Sequence, residues 1–297
     1  MQFCLEVWGT DYGKIKDTCI LAEKLGYDGF YYGESLAEID LDCWTVLSAL
    51  ASHTSSIKLG PVITYLIPQY RNVALLAKQA VTLQEISNGR LEFRTGAGAT
   101  LQYASQWWYP YGIDYPENAE RVSMLEEGLQ VLQMLWNKSS VQYNGKYFKV
   151  VGASLQRPSK PIPITVAAKG RRMMRMAAKY ADIWEVSYIS PEKFKELNDH
   201  FSSITKEFNR SIRRSIELDV IIADSDSDLK YKEQMFAMER GPNVYHQILQ
   251  NGLVGKPDRI AERVKEYVDA GVEQFFLAFQ DPFDKKALEL FIKAVKN

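Results

Sequence analysis

The sequence predicts an α/β fold, a single (β/α)8 TIM barrel that uses residues 1–297 and carries one β-hairpin insertion. Short β-rich runs alternate with longer stretches of helical periodicity along nearly the whole chain. Eight such runs can be read, and no composition shift or linker marks a second domain. A doubly wound open sheet is the competing architecture; it usually stops at about five to seven strands, and no G-x-G-x-x-G follows the first run.

Gln2 to Trp8 forms the first strand, and Ile15 to Leu25 places Ile15, Cys19, Ala22 and Leu25 on one helical face, stopped by Gly26. Gly29 to Tyr32 is the second strand. Asp42 precedes the helical run CWTVLSALAS, Ile57 to Thr64 is the third strand, and Asn72 caps a helix that ends at Asn88-Gly89. Leu91 to Thr95 is the fourth strand, followed by a long aromatic loop. The helix Ala119 to Trp136 precedes VQYNGKYFKV, a hairpin on an Asn-Gly turn that interrupts the βα rhythm. Ile164 to Ala167, the helix Arg171 to Tyr180, Ile183 to Val186, a helix from Pro191 to near Asn209, and Ile216 to Ile222 resume it. Asp224 to Gly252 shows no clear period yet is too long for a bare loop. Pro257 to Ala270 is a helix, Gln274 to Phe279 the eighth strand, and Asp284 caps a closing helix to Lys296.

Composition narrows the function. Thirty-six basic and 37 acidic residues leave a formal net charge of -1, too balanced for bulk attraction to nucleic acid. Cys4, Cys19 and Cys43 form no Cys-x-x-Cys pair, which fits a reducing, cytoplasmic setting. The start has no basic segment before an apolar stretch, and no apolar run reaches about 18 residues, so neither secretion nor a membrane span is expected. His53, His200 and His246 lie far apart, and no metal site is expected.

In a barrel the chemistry sits at the carboxyl ends of the strands. In ITVAAKGRRMM the small residues Ala167, Ala168 and Gly170 precede a helix start, which suits a phosphate held by free N–H groups with Lys169, Arg171 and Arg172 adding charge; an ordinary βα turn with solvated arginines reads equally well. Gly96-Ala97-Gly98 is a similar, weaker feature. Glu6 lies in an apolar strand, where a carboxylate is costly unless bonded or facing a cleft, so it is either a proton donor or a polar anchor. Glu34 and Ser35 end the second strand and Tyr65 follows the third. The segment QYASQWWYPYGIDYP, with Trp107 and Trp108, either walls a pocket for a flat ligand or packs over the barrel.

Taken together, MQFCLEVWG, AEKLGYDGFYYGES, IKLGPVIT, LQEISNGRLEFRTGAG, ERVSMLEEGLQVLQMLW, PITVAAKGRRMMRMAAKYAD and GKPDRIAERVKEYVDAGVEQF resemble, in order, the luciferase-like monooxygenase superfamily. The resemblance is stronger to its branch that uses the deazaflavin coenzyme F420, which includes methylenetetrahydromethanopterin reductase. It implies a bacterial luciferase-like barrel, commonly a homodimer, with a nonprolyl cis peptide within Val62-Ile63-Thr64 under the coenzyme ring. Ile63, Thr64, Gly96, Ala97, Gly98, Ala167, Ala168, Lys169, Gly170, Arg171 and Arg172 would then bind the coenzyme. Glu6, Glu34 or Ser35 would handle a proton, and Trp8, Tyr65, Trp107, Trp108 and Tyr188 would face a small-molecule substrate. Where the family commonly has an acidic residue and His after strand two this chain has Glu34-Ser35, and where it has Gly-Pro this chain has Gly170-Arg171.

The function implied is hydride transfer between a (deaza)flavin and a small organic molecule. An FMN-dependent monooxygenase using oxygen is the alternative within the family, and a noncatalytic flavin-binding barrel the alternative outside catalysis.

Overall fold

The computed structural model describes residues 1–37 and 39–296. Eight strands form the barrel: β1 (Gln2–Val7), β2 (Gly29–Gly33), β3 (Lys58–Val62), β4 (Phe93–Gly96), β7 (Ile164–Ala167), β8 (Ile183–Ser187), β9 (Arg213–Ile222) and β11 (Gln274–Phe279). Their order is β3-β2-β1-β11-β9-β8-β7-β4, all parallel, and the bridges Leu59↔Leu91 and Thr64↔Thr95 bring β3 against the β4 segment to complete the ring. The expected barrel is therefore present. β5 (Val141–Asn144) and β6 (Lys149–Ala153) form the expected antiparallel hairpin.

Helices α1 (Tyr12–Leu25), α2 (Cys43–Ala51), α3 (Val73–Ile86), α5 (Asn118–Asn137), α6 (Arg171–Tyr180), α7 (Pro191–Glu207), α10 (Pro257–Asp269) and α11 (Lys285–Lys296) follow the sequence periodicity closely. The caps are the expected ones: Asn72 Oδ1 accepts from the amides of Ala74 and Leu75, Asp42 Oδ1 from Thr45, and Asp284 Oδ1 from Ala287.

Three stretches differ from expectation. The aromatic loop is mostly helix, α4 (Leu101–Trp108) with a 3-10 turn at Tyr109–Tyr111, because Ala104 and Trp108 bury one face that the Tyr and Trp content obscures. Asp224 to Gly252 folds as α8 (Asp226–Arg240) and α9 (Pro242–Asn251), largely polar helices that rest on β9 through Phe236 and Ile248. A three-residue strand, β10 (Leu253–Gly255), pairs in parallel with the end of β9, too short to register as a period.

The main apolar core lies between the sheet and the helices. Inside the barrel a smaller layer of Cys4, Tyr31 and Phe276 packs across the axis. Gly60 makes room for it: a Cβ there would lie 2.4 Å from the Glu92 carbonyl oxygen and 2.5 Å from the Tyr31 ring.

Candidate active site

The residues expected to hold a coenzyme form one arc of the barrel rim. The Val62–Ile63 peptide is cis, within the expected tripeptide. Thr64 bridges to Thr95, and Gly96 pairs with Ala167, so the ends of β3, β4 and β7 are consecutive. Neighbouring side chains crowd these positions: a Cβ on Gly96 would lie 3.0 Å from Ile63 Cδ1, and one on Gly98, at φ +80°, would lie 2.3 Å from Tyr115 Oη.

Gly170 is the N-cap of α6, at φ -82° and ψ 155°, with no side chain capping the helix and no atom within 4 Å of where its Cβ would stand. The first amides of α6 thus have no capping side chain. Lys169 and Arg171 are exposed beside them. Shielding lowers the Lys169 ammonium from its ordinary range, against the opposing field of Glu217 and Glu185.

Some predicted contacts are spent elsewhere. Arg172 turns to α5, where its Nη2 lies 3.0 Å from Ser123 Oγ and 3.3 Å from a Glu126 oxygen. Thr64 is fully buried and donates its hydroxyl to Glu34, its amide donates to the Arg94 carbonyl at 3.0 Å and its carbonyl accepts from Thr95 Oγ1 at 2.6 Å, so its polar groups are all engaged within the barrel. Ala168 is buried and its carbonyl accepts from Trp184 Nε1 at 2.7 Å.

Beside this arc a cavity of about 920 Å³ opens at the carboxyl ends of β1, β2, β3 and β11 under α8. Trp8, Glu34, Ser35, Tyr65, Trp107 and Tyr188, all expected at the site, line it. Trp108 does not: it is buried among Tyr65, Tyr70 and Tyr115, with ring centroids 5.2, 4.8 and 5.0 Å away, and packs α4 onto the barrel. A second chamber of about 510 Å³ between β9 and α9 shares Tyr103, Tyr188, Asp219, Glu239 and Arg240 with the first.

The expected proton carriers separate on their bonding. Glu34 is saturated: Oε1 accepts from Tyr70 Oη at 3.0 Å and Arg71 Nε at 2.9 Å, while Oε2 accepts from Trp44 Nε1 at 3.2 Å and from Thr64. These four donors tie it to the end of the strand. Ser35 donates to Asp40 Oδ2 at 2.8 Å, and burial raises the Asp40 carboxyl on the same cavity wall. Glu6 is fully buried inside the barrel beneath the mouth, off the cavity wall and ion-paired to Arg94. Burial holds its carboxyl well above the usual range, against the pull of Arg94.

Sequence reasoning missed Arg94, Glu217, Asp219 and Asp40. Arg94 had a signal, a charge in the middle of the strand LEFRTG, and Glu217 and Asp219 alternate along IELDVII with the two-residue period of one strand face. Asp219 lines both chambers, and burial pushes its carboxyl up to about 6, opposed by Arg240 and assisted by Glu217. Among the described residues no cluster of His, Cys, Asp and Glu has the form of a metal site.

A family model described as luciferase-like monooxygenase matches residues 5–241. An F420-dependent glucose-6-phosphate dehydrogenase of Amycolatopsis mediterranei (strain U-32) is 24% identical over 263 residues, covering 80% of this chain and 77% of its own length. The 5,10-methylenetetrahydromethanopterin reductase of Archaeoglobus fulgidus is 24% identical over 319 aligned positions, covering 93% of this chain and 92% of its own. Among solved structures, an F420-dependent secondary alcohol dehydrogenase in complex with an F420-acetone adduct superposes with a TM-score of 0.87 at 18% identity, covering 99% of this chain and 98% of that one.

Proposed function

The chain belongs to the luciferase-like monooxygenase family, and on that premise we propose that it is an F420-dependent oxidoreductase that passes a hydride between the coenzyme and a small organic substrate. The observation that carries this reading is the site itself: an aromatic-walled cavity at the barrel mouth that reaches Val62 and Tyr65 on either side of the cis-peptide segment, with a helix start on the same rim that no side chain caps. Relatives that match most of the chain include an F420-dependent dehydrogenase, which favours F420 over FMN.

The residues present fit such a group. The rim at Ile63, Gly96, Ala97 and Gly98 would support a flat ring, and the α6 amides with Gly170, Lys169 and Arg171 would hold a phosphate. Bound there, the coenzyme would supply or accept the hydride. The protein would position the substrate against Trp8, Tyr65 and Trp107 and exclude water. Ser35 and Asp40 on one wall and Asp219 and Tyr188 on the other are among the cavity groups that could exchange a proton with it.

A second reading is an FMN-dependent monooxygenase, supported by the family model's description as a luciferase-like monooxygenase. Titration with F420 and with FMN, followed by absorbance and fluorescence, separates the two. Anaerobic hydride exchange and aerobic oxygen consumption then assign the reaction. Binding of neither coenzyme refutes both readings, and binding without turnover across a substrate panel supports a noncatalytic barrel. We also propose a homodimer, from the family resemblance, to be checked by light scattering. A reducing, cytoplasmic location is supported by three buried, unbridged cysteines, and none of the described helices is long and apolar enough to cross a membrane.

A further inference from the structure

The barrel interior beneath the cavity carries an excess of acid. Arg94 of β4 is fully buried and receives Glu6 of β1, Glu185 of β8 and Glu217 of β9. Its Nε and Nη2 donate to Glu185 at 2.5 and 2.8 Å, Nη2 also donates to Glu217 Oε2 at 2.8 Å, and Nη1 donates to Glu6. From β11 comes Phe276, its ring centroid 4.1 Å from the guanidinium carbon. Lys169 beyond β7 supplies the neighbouring positive charge, whereas Glu92 before β4 and Asp219 on β9 add negative charge. Three carboxylates around one guanidinium leave two negative charges uncompensated if all ionise. Buried groups this close share protons instead. The second oxygen of Glu6 is buried and has no hydrogen-bond partner among the described residues.

One member of the cluster reaches the mouth. Glu217 Oε1 accepts a hydrogen bond from Tyr188 Oη, and Tyr188 lines both chambers. Its position is held from the backbone: its amide donates to the Glu217 carbonyl at 3.0 Å, and its own carbonyl accepts from Asn251 Nδ2 at 3.3 Å.

We propose that Glu217 and Tyr188 form a proton conduit between the buried Arg94 cluster and the cavity, and that this cluster stores the proton that accompanies hydride transfer. The use of the proton rests on the oxidoreductase reading; the conduit itself does not. When hydride leaves the substrate, the proton it releases passes to Tyr188 Oη while Tyr188 gives its own proton to Glu217 Oε1 along the bond the structure holds, and the cluster gains one proton. When hydride reaches the substrate, the same bonds break and form in reverse order, starting from a cluster that holds that proton. Tyr188 is then a catalytic residue, and Glu217 acts through it.

The test uses the full chain without coenzyme. After a jump from pH 6 to pH 9, the carboxylic-acid C=O band is followed by time-resolved infrared spectroscopy in wild type, Tyr188→Phe and Glu217→Gln. The proposal expects a protonated-acid band before the jump and release at least about tenfold slower in both variants, with F420 affinity within about threefold of wild type. An absent band, or equal release rates in all three proteins, overturns it. So does slowing in Asp219→Asn alone, which would place the outlet at Asp219. Phe and Gln keep the shape of the originals, and either variant alone suffices if the other fails to fold. Failure of F420 and FMN to bind wild type would refute the functional reading while leaving the release rates to decide the conduit.

Discussion

Gly170→Asp tests the phosphate end of the site with little interference from folding. The residue sits at an N-cap with φ -82° and ψ 155°, a conformation open to any amino acid, and its Cβ would meet nothing within 4 Å. Asp is a better N-cap than Gly by a few tenths of a kcal/mol and its charge suits the helix dipole, so the melting temperature should hold or rise slightly. A phosphate bound by the same amides would stand about 4 Å from the new carboxylate, where repulsion amounts to about 1 kcal/mol at a water-like dielectric and about 4 kcal/mol at the value typical near a protein surface. Affinity for F420 should therefore fall from about fivefold to several hundredfold. Fluorescence titration at about 50 mM salt, where screening is weak, measures it. Gly170→Asn caps the helix without the charge, so the difference between the two variants isolates the electrostatic part. Equal affinity in wild type and Gly170→Asp would show that the coenzyme phosphate binds elsewhere.

Trp107 and Trp108 should part company: Trp108→Ala removes a buried packing ring and should cost about 3–5 kcal/mol in denaturant unfolding, whereas Trp107→Ala, at the half-buried edge of the same cluster, should cost clearly less and weaken binding at the cavity. Asp219→Asn should stabilise the protein at pH 8. Its carboxyl is raised from the ordinary 3.8 to about 6, so the native state holds a proton that the unfolded chain releases, and stability falls as pH rises through that window. The penalty relieved above pH 6 is at most about 3 kcal/mol, and it should vanish below about pH 4, as melting curves across pH will read. Gly60→Ala should destabilise by about 1–3 kcal/mol or more, because the Cβ meets a backbone oxygen rather than a movable side chain.

Much of the fold is legible along the chain. β7, α6 and β11 have the boundaries that their runs predict, because strands buried on both faces and amphipathic helices leave strong local periods. Less of the site is legible. Glu34 and Ser35 stand side by side at one strand end, yet one is locked by Arg71, Tyr70, Trp44 and Thr64 while the other bonds Asp40. Nothing in their spacing distinguishes them, since their partners come from other turns of the chain. Trp107 and Trp108 are adjacent as well, and the turn of α4 leaves one at the edge of the cluster facing the cavity and buries the other within it.

The alternation of strand and helix, the caps and the small residues at the strand ends are local, and local sequence is enough to specify them. The charge balance inside the barrel is not. Arg94 meets Glu6, Glu185 and Glu217 across 88, 91 and 123 residues of chain, and only closure of the ring sets three acids around one base. Whether a carboxylate is an anchor, a proton store or a surface charge depends on which groups share its space and how much water reaches it, and both are properties of the closed barrel.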